Sequence, residues 1–209
     1  MDAVPPGNPD APDTAELAAA AGGGDRGSLG RLFERLTPEL HTWAALRIST
    51  ALREVLDPED LVQEIWSRAL TKIAEFRPDG TPFRFWVFRL AKNVLLEAIA
   101  RARVRRNRRA GRAETERLFD IGDYPDDATS ASRRAARDEA LRQFIEDVKA
   151  LPEDDAELFV YCGLEGATAA EAARVLGIGE EAAQKRWVRL RERLRQRGLP
   201  RGLDGLLGN

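Results

Sequence analysis

Three groups of side chains in this sequence have the types and spacing to bind a partner. Asp60, Gln63, Glu64 and Ser67 fall three or four residues apart, the separation that places side chains on one face of a helix. An acidic, amide-bearing face of this kind suits a protein surface, and an ordinary solvated face is the plain alternative. Arg84, Arg89, Lys92, Asn93, Arg101 and Arg105 are interleaved with Phe83, Phe85, Trp86 and Phe88. Aromatic rings stack on unpaired bases while cationic groups hold phosphates, although core packing accounts equally simply for most of the rings. Gln184, Lys185, Arg186, Arg189, Arg191 and Arg193 form a third group near the end of the chain.

Catalytic chemistry has little to work with. His41 is the sole histidine and Cys162 the sole cysteine. Cys162 lies in the apolar run LFVYCGL, where a small buried hydrophobe is the expected role. Gly22-Gly23-Gly24 lacks the Lys-Ser/Thr that follows the glycines of a phosphate-cradling loop. Asp154 and Asp155 sit at a helix start, where capping suffices. No enzyme activity, cofactor or metal site is expected.

The elements that must carry these groups are helical. Asp57-Pro58-Glu59-Asp60 supplies a cap, a first-turn proline and carboxylates at the positive end of the helix dipole. Leu61, Val62, Ile65, Trp66, Ala69, Leu70 and Ile73 form the stripe beneath the acidic face. A loop with Pro78, Gly80 and Pro82 follows, and Thr81-Pro82 starts the next helix. Its apolar band is Phe83, Trp86, Val87, Leu90, Val94, Leu95, Ala98 and Ile99, with Phe85 and Phe88 partly off it. Upstream, Ser28 is a plausible cap for a helix carrying Leu29, Leu32, Phe33 and Leu36, and Thr37-Pro38-Glu39 reads as a restart.

Toward the C-terminus, Leu141, Phe144, Ile145, Val148 and Leu151 make an amphipathic helix ended by Pro152. Thr168 and Glu171 have capping-box spacing. Gly177 stands where a left-handed residue ends that helix. Ile178 fills the turn, and Gly179-Glu180-Glu181 opens a longer helix with Ala183, Trp187, Leu190 and Leu194 inward. This is a helix-turn-helix pattern whose second helix presents the third polar group outward. A helical hairpin with a basic outer face is the alternative.

Charge is distributed in blocks. The net charge of the 209 residues is only -2. Yet eight arginines lie between Arg101 and Arg117, and Lys185 plus seven arginines through Arg201 face only Glu192. Local patches, not the sum, set the field that a nucleic acid meets. No apolar run approaches the roughly 18 residues needed to span a bilayer, and Met1 leads into Asp and Pro. A cytoplasmic protein without membrane insertion is expected, and one cysteine allows no intrachain disulfide.

These parts, in this order, resemble a bacterial RNA polymerase sigma factor of the sigma-70 family, of the small extracytoplasmic-function (ECF) type. DPEDLVQEIWSRAL resembles region 2.2, and FRFWVFRLAKNVLLEAIARARVRR resembles regions 2.3 and 2.4, with Lys92 where Arg is usual before Asn93. LPEDDAELFVYCGLEGATAAEAARVLGIGEEAAQKRWVRLRERL resembles region 4. The resemblance implies an all-α chain of two small helical domains joined by a flexible linker. Its expected parts are a disordered acidic tail (1–27), a region 2-like domain (28–107), a charged linker (108–137), a region 4-like domain (138–199) and a C-terminal tail (200–209).

It further implies a transcription initiation factor with core RNA polymerase and promoter DNA as partners, and leaves room for an anti-sigma factor. Asp60, Gln63 and Glu64 would dock on the clamp coiled coil of the largest polymerase subunit. The loop Phe76–Pro82 and the helix after it would hold the -10 element, one base flipped from the stack, with Arg84, Lys92, Asn93, Arg101 and Arg105 as contacts. Gln184, Lys185, Arg186 and Arg189 would read the -35 element. Glu180 and Glu181 depart from the family pattern, and two carboxylates there would repel phosphates. A stand-alone helix-turn-helix regulator is the competing reading; it would not need the Asp60/Gln63/Glu64 face.

Overall fold

The computed structural model describes residues 11–50, 52–77, 81–108, 130, 133–135, 138–200, 202–203 and 206, with the backbone alone for 11–13 and 105–108. Every regular element among them is helical. The first four helices are α1 (Ala11–Gly22), α2 (Arg26–Arg47), α3 (Pro58–Lys72), which runs into a 3-10 turn (Ile73–Glu75), and α4 (Phe83–Arg108). The second group comprises α5 (Glu139–Lys149), α6 (Glu153–Leu158), a π-helical turn (Phe159–Leu164), α7 (Ala169–Leu176) and α8 (Glu180–Arg197).

Several sequence expectations in the first group change. The stretch 1–27 was expected to be a disordered acidic tail with a short helix possible around Thr14 to Ala21; α1 covers that stretch and packs on α2, burying Thr14, Ala18 and Ala21. Small side chains allow that close approach, and the alanine run has high helix propensity. Helix α2 is continuous through Thr37-Pro38 instead of restarting there. Its cap is Asp25, not Ser28: the Asp25 carboxylate accepts from the Gly27 and Ser28 amides. Thr37, expected to cap a restart, instead accepts a 3.0 Å hydrogen bond from Trp66 Nε1.

The core between α2, α3 and α4 is aromatic. Phe33 meets Trp66 edge to face at 4.6 Å, Trp43 meets Phe88 at 6.2 Å, and Phe76, Phe83 and Trp86 form a contiguous trio. Trp43, Trp66, Phe33, Phe83 and Phe88 are fully buried. Phe88 therefore belongs to the core and not off the apolar band, whereas Phe85 is half-buried.

In the second group, α7 and α8 form the expected helix-turn-helix. The Thr168 hydroxyl accepts from the Glu171 amide while the Glu171 carboxylate accepts from the Thr168 amide. Gly177 closes α7 at φ +68, a left-handed conformation that costs glycine little. Pro200, Leu203 and Leu206 are buried, so the C-terminal stretch returns to the core. The expected linker, 108–137, falls mostly outside the described residues; within it, 133–135 is helical and Ala135 is buried.

The buried side chains of both groups join into one apolar cluster. Two domains of this size pack directly on each other through α2, α4, α5 and the π-helical turn.

Candidate nucleic-acid interface

Helix α4 positions the aromatic and basic side chains, and its length sets their reach. Arg84 lies in its first turn, 13% exposed, between two carbonyl-type acceptors. Its Nε donates to Glu39 Oε2 at 2.5 Å and its Nη2 to the Gly163 carbonyl at 2.7 Å. The guanidinium also sits over the rings of Phe85 and Phe88, at 5.6 and 5.3 Å. Two turns on, Lys92 Nζ stands 2.7 Å from Glu165 Oε2. Asn93 is exposed. Arg101 is half-buried and donates weakly to the Glu97 carbonyl at 3.4 Å. The Arg105 side chain lies outside the described residues, as do residues 78–80 of the expected base-capturing loop; Phe76 of that loop is buried and Arg77 exposed.

Glu165 is the residue that sequence reasoning missed. Its side chain is 1% exposed, and four donors converge on it. Trp43 Nε1 donates to Oε1 at 2.8 Å, Arg47 Nε and Nη2 at 3.1 and 2.8 Å, and Lys92 faces Oε2. Burial pushes its carboxyl upward, but the Arg47 charge and the hydrogen bonds from Lys92, Trp43 and Arg47 outweigh it and hold the group below the ordinary carboxylate value. Arg47 also pairs with Glu157 at 3.0 Å and lies over the Tyr161 ring at 4.5 Å. A glutamate between Leu164 and Gly166 carries no local signal. Only the fold brings α2 and α4 around it.

The acidic face of α3 is only partly outward. Asp60 and Glu64 are half-exposed, but Gln63 is 7% exposed, with its amide 3.4 Å from Glu59 Oε1. The expected outward Gln63 is therefore turned into the protein surface. Glu64 pairs with Arg68 at 3.1 Å, and Arg68 reaches Glu97 of α4 at 2.9 Å. That network ties α3 to α4 beside the acidic face.

On α8, Gln184, Lys185, Arg186 and Arg189 are all exposed, as the pattern requires. Lys185 pairs with Glu181 one turn before it at 2.5 Å, and Arg186 pairs with Asp154 of α6. Arg193 reaches Asp155 at 3.2 Å. Part of the basic charge is thus matched within the protein. Gly179 caps α8 without a side-chain hydrogen bond, so the acidic first turn of Glu180 and Glu181 faces the helix dipole alone. Cys162 is half-buried, and burial pushes its thiol to about 12, which removes thiolate reactivity at neutral pH.

Residues 32–106, which span most of α2 through α4, match the model of sigma-70 region 2. The chain is 28% identical over 180 residues to the ECF RNA polymerase sigma factor SigM of Mycobacterium tuberculosis, covering 86% of this chain and 82% of that protein. It is 29% identical to the RNA polymerase sigma factor CnrH of Cupriavidus metallidurans, over 85% of this chain and 90% of that protein. A solved structure of CnrH with the cytosolic domain of CnrY superposes with a TM-score of 0.42 at 24% identity, covering 88% and 95% of the two chains. Sigma-70 region 2 thus covers most of α2 through α4, and along most of its length the chain is similar to ECF RNA polymerase sigma factors, which supports a role in transcription initiation. Members of the family are non-enzymatic transcription factors. No helix among the described residues is long and apolar enough to cross a membrane.

Proposed function

We propose that the protein binds core RNA polymerase through Asp60 and Glu64 on α3, and directs it to promoters whose -10 and -35 elements contact α4 and α8. It acts in the cytoplasm, where both partners reside, and catalyses nothing itself. The observation that carries this reading is the match to sigma-70 region 2 over 32–106, which contains the α3 face and the α4 face together. A free-standing DNA-binding regulator would need only α7 and α8.

On α4, Arg84, Lys92, Asn93, Arg101 and Arg105 supply cations and an amide along one helix, suited to phosphates and base edges of an unpaired strand. On α8, Gln184, Lys185, Arg186 and Arg189 stand on the exposed face of a recognition helix. Buried Gln63 is assigned a supporting place in α3 and not a contact.

Affinity capture with purified core polymerase tests the α3 assignment. Wild type is expected to be retained, and Asp60→Lys with Glu64→Lys to lose about tenfold or more in affinity, as reversed charge at an interface costs several kcal/mol. Retention of the double variant at wild-type strength would rule out this docking face.

A further inference from the structure

Helix α4 runs on past its core. Ala98 is the last buried residue described on it, yet the helix continues to Arg108, about three turns or roughly 15 Å further. Beyond Ala98 only Ile99 and Ala102 rest against the apolar cluster, each half-buried. The large side chains on the other side are not hidden: Leu96 is 64% exposed and Val104 49%. With exposed Ala100 between them they stand at i, i+4 and i+8, a row about 12 Å long on one face of the helix. Four large apolar side chains are exposed among the described residues, and two of them fall in this row. Singly, such residues call for no explanation, but a contiguous stripe marks a contact surface.

The charges around the row say what it contacts. Arg89, Asn93 and Arg103 share its face and are exposed, and the sequence adds Arg105, Arg106 and Arg108 beyond it. Glu97 is the sole acid of α4, and Arg68 takes up its carboxylate at 2.9 Å. An apolar stripe bordered by cations suits a polyanion that carries apolar groups at fixed places. Duplex DNA is such a polyanion: its major groove admits an α-helix, and the thymine C5-methyl is the apolar group on its base edges.

We propose that Leu96, Ala100 and Val104 select thymine in paired promoter DNA, with the projecting end of α4 in a major groove and the flanking cations on the phosphates. This deepens the proposed -10 contact of α4 and rests on it, adding a duplex segment beside the unpaired strand. Selection follows from what each base edge presents. A leucine against a thymine methyl buries both, whereas against the amino group of cytosine or adenine it leaves a donor unsatisfied.

Thymine and deoxyuridine differ by that methyl alone, so exchanging them tests the row. A library of genomic fragments is amplified with thymine or with deoxyuridine throughout, and initiation by core polymerase with the full chain is measured on both. Wild type is expected to favour the thymine library about fourfold, the equivalent of burying one methyl group. Leu96→Ala should bring that ratio close to one by losing initiation on the thymine library, and Val104→Ala should lower it in part. Both positions are exposed, so neither change threatens the fold. Weaker stacking of deoxyuridine acts on every variant alike and cancels when the ratios are compared. A ratio that is the same in wild type and both variants would overturn the proposal. So would weaker retention of Leu96→Ala on core polymerase in the absence of DNA, which would give the row to a protein partner. No initiation by wild type on the thymine library would overturn the proposed function, and this reading with it.

Discussion

Trp43 and Glu165, 122 residues apart, share a buried 2.8 Å hydrogen bond that joins the two halves of the protein. The indole is fully buried, so its N–H has no water to turn to, and the carboxylate receives it together with the Arg47 guanidinium. Removing the carboxylate leaves a fully buried donor unmatched and leaves the largely buried Arg47 with Glu157 as its remaining acidic partner. Arg47 keeps 18% side-chain exposure, which softens the penalty. Glu165→Ala should destabilise the protein by about 2–4 kcal/mol. Urea unfolding should also change from one transition to two, as the halves uncouple. A variant of wild-type stability with a single transition would show that the Glu165 cluster is not a structural joint.

Acid should loosen the protein in two steps, with signs set by two buried groups. Burial holds His41 below its ordinary 6.5, against the raising influence of Asp57 and with the lowering one of Arg53. Its folded value lies below the unfolded one, so its contribution is complete above pH 6.5 and declines as pH falls. Glu165 is likewise held below its ordinary 4.5, facing Arg47, Lys92 and Trp43, with Glu157 on the far side of Arg47. Its contribution is complete above pH 4.5 and is lost as pH falls through the lower folded value. Denaturant titrations from pH 7 to 3 should show His41→Asn abolishing the first decline and Glu165→Gln the second. A stability rising toward acid would contradict both assignments.

Gly166 carries two constraints in one position. Its φ is +70, and a Cβ would collide with the Phe85 ring. The backbone strain alone costs about 1 kcal/mol, and the collision with the Phe85 ring adds to it. Gly166→Ala should therefore lower stability by more than 1 kcal/mol, with Phe85→Ala restoring part of the loss. No rescue by Phe85→Ala would mean that the ring has room to move aside.

Acidic neighbours should restrain α8. Glu181 pairs with Lys185, and Asp154 with Arg186. Both pairs are exposed, so each is worth well under about 1 kcal/mol to folding, yet each occupies a cation proposed to contact DNA. Asp154→Asn and Glu181→Gln should raise duplex affinity a few-fold at low salt and steepen its salt dependence by about one unit of slope. Titration of a promoter duplex by fluorescence anisotropy measures both. Unchanged affinity would place Lys185 and Arg186 away from the DNA.

Much of this was written in local patterns. The cap at Asp57, the Thr168–Glu171 box, the left-handed Gly177 and the exposed row on α8 all depend on residues within a few positions of one another. Each is therefore readable without knowing the fold. Continuity of α2 through Pro38 was not legible, because packing of the buried Thr37 against Trp66 overrides a local stop signal. Gln63 shared the spacing of an outward face, yet its burial depends on neighbours that periodicity does not see. Glu165 was invisible for the same reason: its donors lie on α2 and α4, more than seventy residues earlier. Long-range pairing is the part of a helical fold that sequence periods leave open.

Transcription with purified core polymerase on genomic DNA, followed by mapping of start sites, tests the central claim most directly. With the chain present, initiation should concentrate at a limited set of sites sharing two sequence elements at fixed spacing. It should fall about tenfold or more with Asp60→Lys and Glu64→Lys. Start sites identical with and without the chain would contradict the account.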